Sequence, residues 1–247
     1  MEKRAKRYLL IDGFRGLAII SMVIFHFLYD VNEVFGINTA WYEKTNVHIW
    51  QQSICWAFII ISGFVWKLGM KSNLKRGIFL NICGMVITLA TAVFTPSQTV
   101  WFGILNFMGC ASLIMIPLHR LAGKISSVLG MVLSMAIFVI CRNITEGMIG
   151  VKNIFAIELP NWLYESKILT PLGFPFRGFV SSDYFPILPW IALFLFGYYL
   201  YSYAIETDKL NKYAYQKIPV LSGIGQRSIW IYLLHQPICM AVCAIFL

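Results

Sequence analysis

His26 and Asp30 stand four residues apart in the run Tyr8–Val31 (YLLIDGFRGLAIISMVIFHFLYDV), and Asp12 and Arg15 stand together near its start. On a helix, an imidazole one turn from a carboxylate can act as a general base. The ring takes a proton from an incoming nucleophile while the carboxylate orients it and steadies the imidazolium. The guanidinium of Arg15 suits different chemistry, since its planar fork matches phosphate oxygens. At about 100° per residue, Asp12, Arg15, Ile19, Met22, His26 and Asp30 step by three or four and share one face. A rise of about 1.5 Å per residue places Arg15 and His26 about 16 Å apart along the axis, about half the thickness of a hydrocarbon core. A bland reading stands beside each role: a histidine hydrogen-bonded between helices, and an Asp12–Arg15 ion pair snorkelling to the interface.

The last apolar run, GIGQRSIWIYLLHQPICMAVCAIFL, adds Arg227 at its start and His235 eight residues later. Arg227 can join Arg15 in holding an anionic cytosolic ligand, with Lys75, Arg76 and Arg120 adding field. His235 is either a second catalytic or proton-relay residue or the partner of a carbonyl freed by Pro237. Asp183, in SSDYFPILPW, sits where a long segment enters a helix, a place for acceptor recognition or for an N-cap. Asn106, in GILNFMGCASL, is a cavity-facing amide or an interhelical hydrogen bond. His48 begins the second apolar run on the same side as His26, and His119 ends the fourth. Ser62 and Gly63 in FIIISGFVW permit close helix packing.

These residues sit in a chain of 247 residues that is 59% hydrophobic and 13% charged, with mean hydropathy +0.71. Those proportions exclude an ordinary soluble domain and predict an integral membrane protein. Charged groups inside such runs cost at least about 2.5–3.5 kcal/mol each, so a polar stripe marks a bundle interior or a cavity. Apolar runs at about 8–31, 49–70, 77–95, 100–118, 124–142, 186–205 and 224–247 predict an all-α bundle of about seven transmembrane helices. The first run is too long for a signal h-region, is interrupted by Asp12 and Arg15, and reads as a retained helix. Lys3, Arg4, Lys6 and Arg7, then Lys67, Lys71, Lys75 and Arg76, then Arg120 and Lys124, and finally Lys209, Lys212, Lys217 and Arg227 fall on one side. The N-terminus is therefore expected in the cytoplasm and the C-terminus outside.

The net charge of +9 is this orientation pattern and calls for no nucleic-acid partner. Cys55, Cys83, Cys110, Cys141, Cys239 and Cys243 read as small buried apolar residues, and no metal-ligand spacing, nucleotide loop, nucleophile elbow or paired-carboxylate motif occurs. The segment at about 143–185 is rich in Pro, Gly and aromatics. It is expected on the outer side, either at the lipid interface or as a cap over the bundle mouth. With no internal repeat or linker, residues 1–247 read as one domain.

In order along the chain, IDGFRGLAIISMVIFHFLYD, FIIISGF, GILNFMGCASL, SDYFPILPW followed by FLFGYYL, and GQRSIWIYLLHQPI resemble the bacterial members of the heparan-α-glucosaminide N-acetyltransferase catalytic-domain-like family. The Arg15-to-His26 spacing is also similar to that of integral membrane sugar O-acyltransferases. The resemblance implies a multi-pass protein of the bacterial inner or plasma membrane. It would move an acetyl group from cytosolic acetyl-CoA to an extracytoplasmic sugar amine or hydroxyl. Arg15 and Arg227, with Asp12, would serve the CoA end. His26 with Asp30 and His235 would carry the chemistry, and Asp183, His48 and Asn106 the acceptor side. His26 and His48 both remain candidates for the base, an acetyl-histidine intermediate is an alternative to direct transfer, and no metal is expected. Beyond the lipid bilayer and the two substrates, a homodimer is one assembly compatible with such a chain. The rival functions are a transporter or exporter of an anionic solute along the same polar path, and a binding or sensory protein.

Overall fold

Inside a bilayer the backbone finds no water, so every N–H and C=O must be satisfied within the protein, which for an apolar run means a helix. The structure, a computed structural model, describes residues 8–152, 154–208, 210 and 214–247. The basic residues Lys3, Arg4, Lys6, Arg7, Lys209 and Lys212 used in the orientation argument lie outside the described residues. Among those described, six helical stretches are long and apolar enough to cross a membrane, as an all-α integral membrane protein requires. Seven apolar runs become six stretches because α2 (Thr45–Trp66) continues through a 3-10 segment, Lys67–Ser72, into α3 (Asn73–Phe94). The stretch Thr45–Phe94 is 50 residues long, about twice what one crossing needs. The large apolar side chains that remain exposed, such as Leu89, Val93 and Phe94 on α3, are what lipid would cover.

The described residues pack as two compact units, those within 1–61 and 204–247 and those within 62–203. In the first, α1 (Leu9–Tyr29) buries Ile19, Met22 and Phe25 against Val47 and Ile54 of α2. Phe25 meets Trp50 edge-on at 5.3 Å, and the Trp50 indole N–H donates to Ser21 Oγ at 2.8 Å. The expected last helix divides in two, α7 (Leu221–Gln226) and α8 (Ser228–Phe246), with Arg227 at the break (φ −105°, ψ 11°). α7 lies directly on the start of α1. A Cβ at Gly16 would fall on the Leu221 carbonyl oxygen, and one at Gly225 on the Asp12 carbonyl oxygen. Only glycine lets two backbones come that close. The join is also hydrogen-bonded, Leu10 N–H to Ala214 O at 3.2 Å and Ser222 Oγ–H to Leu9 O at 2.9 Å. The first of these satisfies an N–H that the first turn of α1 would otherwise leave open.

In the second unit, α3 packs along α4 (Ile104–Ala122), where Gly77 and Gly109 meet. α5 (Ser127–Cys141) sets Gly130 against the ring of Tyr199, on α6 (Ile187–Glu206), whose hydroxyl donates to Ala122 O at 3.1 Å. Gly63 of α2 lies against the Phe194 carbonyl, the close packing expected of FIIISGFVW. The long segment between α5 and α6 has structure of its own. An antiparallel pair, β1 (Met148–Val151) and β2 (Phe155–Glu158), sets Met148 opposite Glu158. Two 3-10 turns, Asn161–Tyr164 and Lys167–Leu172, follow, and the Tyr164 and Tyr184 hydroxyls donate to the Ile144 and Thr170 carbonyls.

Candidate functional site

The α1 helix delivers His26 and Asp30 as the stripe predicts, and then changes pitch. Asp30–Val34 form a π-helical turn, with the Phe35 N–H bonding to the Asp30 carbonyl at 2.9 Å. Such single wide turns recur at functional sites because they re-aim side chains. Asp30 is completely buried, whereas His26 is half-buried.

The expected orientation of His26 by Asp30 is not what the side chains do. Among the described residues no hydrogen bond joins them. Oδ1 of Asp30 instead accepts from Nε2 of Gln236 on α8, at 2.9 Å. A carboxylate withdrawn from water takes the nearest donor, and a ring four residues back on its own helix is in competition with a long amide arriving from another helix.

What His26 does meet is His235, edge to face, with ring centroids 4.8 Å apart. His235 is 7% exposed, and its Nδ1 lies 2.6 Å from the Tyr232 carbonyl oxygen. At that distance from an acceptor the neutral ring carries its proton on Nδ1, which leaves Nε2 as a buried lone pair. The carbonyl freed by Pro237 would be that of Leu233, four residues back, so His235 is not its partner. The structure therefore brings His26 to His235 and ties Asp30, one turn further on, to Gln236, which sequence reasoning passed over. The signal was present: a primary amide inside an apolar helix must find a partner.

At the other end of α1, Arg15 Nη1 lies 3.0 Å from Asp12 Oδ1, the ion pair anticipated from their spacing. Asp12 is 4% exposed, so this pair is held within the protein. Arg227 is exposed at the break between α7 and α8, two residues after the glycine that packs on α1. Arg15 and Arg227 thus belong to segments in backbone contact. His48, at the start of α2, is exposed, and among the described residues no hydrogen bond joins it to the His26 group.

Two other candidates lie in the second unit. Asp183 does not cap α6. Its Oδ2 accepts the N–H of Ile104 at 3.1 Å, at the start of α4, 79 residues earlier. Burial pushes its pKa up to about 6, against the Ile104 N–H bond, which lowers it. Asn106 donates to the Asn81 carbonyl at 3.4 Å, the interhelical bond, while its Oδ1 is buried without a partner among the described residues.

Comparison with known proteins adds one result that the geometry alone could not. The family model described as heparan-alpha-glucosaminide N-acetyltransferase, catalytic, matches residues 7–237. Comparison with curated proteins and with solved structures returned no match. The matched span takes in both ends of the polar face of α1 together with His235 and Gln236, and the chain belongs to this family of membrane acetyltransferases.

Proposed function

We propose that the chain transfers an acetyl group from cytosolic acetyl-CoA to an amine or hydroxyl of an extracytoplasmic sugar, in a bacterial plasma membrane, with its N-terminus in the cytoplasm. The observation that carries this reading is the His26–His235 pair beside the buried Asp30, at the far end of the α1 stripe from Arg15. The His26 ring makes no hydrogen bond to another described residue, so its lone pair is available to a substrate. Arg15 and Arg227 present guanidinium groups for the CoA phosphates. His26 takes the proton of the acceptor N–H or O–H while the acceptor atom bonds to the thioester carbonyl carbon. The C–S electron pair leaves on sulfur, and the proton passes from His26 to that thiolate, releasing CoA as the thiol.

The test is CoA release by purified protein in liposomes, given acetyl-CoA and a panel of amino sugars and neutral sugars. Wild type should release CoA only when an acceptor is present. His26→Ala should lose about 10²-fold or more in kcat while binding acetyl-CoA as before. Undiminished turnover in His26→Ala removes His26 from the chemistry. Solute flux without acyl-CoA, and no CoA release, would move the transporter reading ahead.

A further inference from the structure

Besides apolar packing, a ring contact and a hydrogen bond join α1 and the turn that follows it to α8 among the described residues, and only the first has a role in the reaction above. His26 meets His235, and one turn further along α1 Asp30 meets Gln236. Around the second contact three atoms are buried without a hydrogen-bond partner among the described residues: Asp30 Oδ2, Gln236 Oε1 and His235 Nε2. With the His235 proton on Nδ1, all three are acceptors. Among the described residues, the side-chain donor that Asp30 does have is the amide of Gln236. A carboxylate with a single donor has its rotamer set by that donor, and the direction of its second oxygen follows.

We infer that Gln236 is a positioning residue, whose amide holds Asp30 by Oδ1 and so keeps Oδ2 free to stabilise the positive charge formed on the His26–His235 pair. The inference rests on the reading of His26 as the base. When the acceptor proton moves to His26, an imidazolium appears beside a second imidazole in a site with little water, and a fixed carboxylate oxygen offsets that charge until the proton leaves with the thiolate. Gln236 itself touches neither substrate nor the transferred proton. Its effect runs wholly through Asp30, which gives it a signature that a packing role lacks.

That signature is a double-mutant cycle on kcat. Gln236→Met keeps the volume and removes the donor. It should lower kcat about tenfold, equivalent to about 1.4 kcal/mol on the barrier, with the KM for acetyl-CoA unchanged. Asp30→Asn should be slower still, and adding Gln236→Met to it should cost nothing more. If Gln236→Met does not fold, Gln236→Asn keeps an amide on a shorter stem and should show the same silence in the Asp30→Asn background. Wild-type kcat in the single variant, or the same fold-loss in both backgrounds, overturns the assignment. A wild-type chain that binds acetyl-CoA but acetylates nothing defeats the transfer reading instead. The tie can then still be read by infrared spectroscopy: the carboxyl band that Asp30→Asn removes should shift in Gln236→Met, and an unshifted band overturns the tie.

Discussion

Gly16→Ala, set against Gly13→Ala three residues earlier on the same helix, tests the contact that joins the Arg15 end of α1 to α7. Both changes bring the same local benefit, about 1 kcal/mol of helix propensity. Their surroundings differ. At Gly13 the new methyl would meet Ile218 Cδ1 at 2.7 Å, the far end of a flexible side chain, which can rotate at a cost of about 1 kcal/mol. At Gly16 it would fall on the Leu221 carbonyl oxygen, 2.9 Å from the carbonyl carbon and 3.2 Å from the Gly225 nitrogen. All three of those are backbone atoms, so α7 must move away from α1, and overpacking of this kind costs about 1–3 kcal/mol. Gly13→Ala should therefore unfold within a few degrees of wild type. Gly16→Ala should unfold lower by about 2–4 °C for each kcal/mol, followed by thermal unfolding in detergent. Because Arg15 adjoins Gly16 and Arg227 follows Gly225 by two residues, acetyl-CoA affinity should fall in Gly16→Ala alone, measured by titration calorimetry. Equal melting temperatures for the two variants would refute the close approach of α1 and α7, and an unchanged affinity would separate that contact from donor binding.

The two arginines should also part company. Arg227→Ala removes an exposed guanidinium and should weaken acetyl-CoA binding about tenfold, the worth of one charge-assisted hydrogen bond, with the melting temperature unchanged. Arg15→Ala should weaken binding and also lower the melting temperature, because it takes the ion-pair partner from Asp12, which is 4% exposed; equal stability of the two variants would contradict this. Asp183 makes a pH prediction. Its folded pKa of about 6 lies above the usual carboxylate value, so the folded state holds a proton that the unfolded state releases. Its contribution to stability is complete below about pH 4 and is lost as pH rises to about 6, an effect of roughly 2 kcal/mol for a half-buried group. Asp183→Asn should flatten the melting temperature over that window, and a slope left unchanged would show that another group titrates there.

The helices were legible because a membrane allows a long apolar run few other structures. The polar stripe was legible because 3.6 residues per turn fixes which side chains share a face. Thus the α1 helix, the Asp12–Arg15 pair and the grouping of His26 with Asp30 on one face follow from spacing alone. So does the family resemblance, which rests on the order of motifs along the chain. Partners across the fold were not legible. That Asp30 binds Gln236 and that Asp183 serves the start of α4 depend on which helices lie side by side, and the intervals of 206 and 79 residues carry no periodicity to reveal it.

The sequence by itself therefore determined that this is a multi-helix membrane protein, that α1 carries a polar face with a guanidinium at one end and an imidazole at the other, and that the motifs are those of membrane acetyltransferases. Hydrophobic length and helical period are local quantities, and the chain writes them directly. Only the tertiary structure decided that α2 continues through a 3-10 segment into α3 as one helical stretch, that the last run breaks at Arg227, and that His26 faces His235 while Asp30 is held by Gln236. The last of these depends on how buried polar atoms compete for few donors once water is gone, and that competition is settled by where the other helices lie.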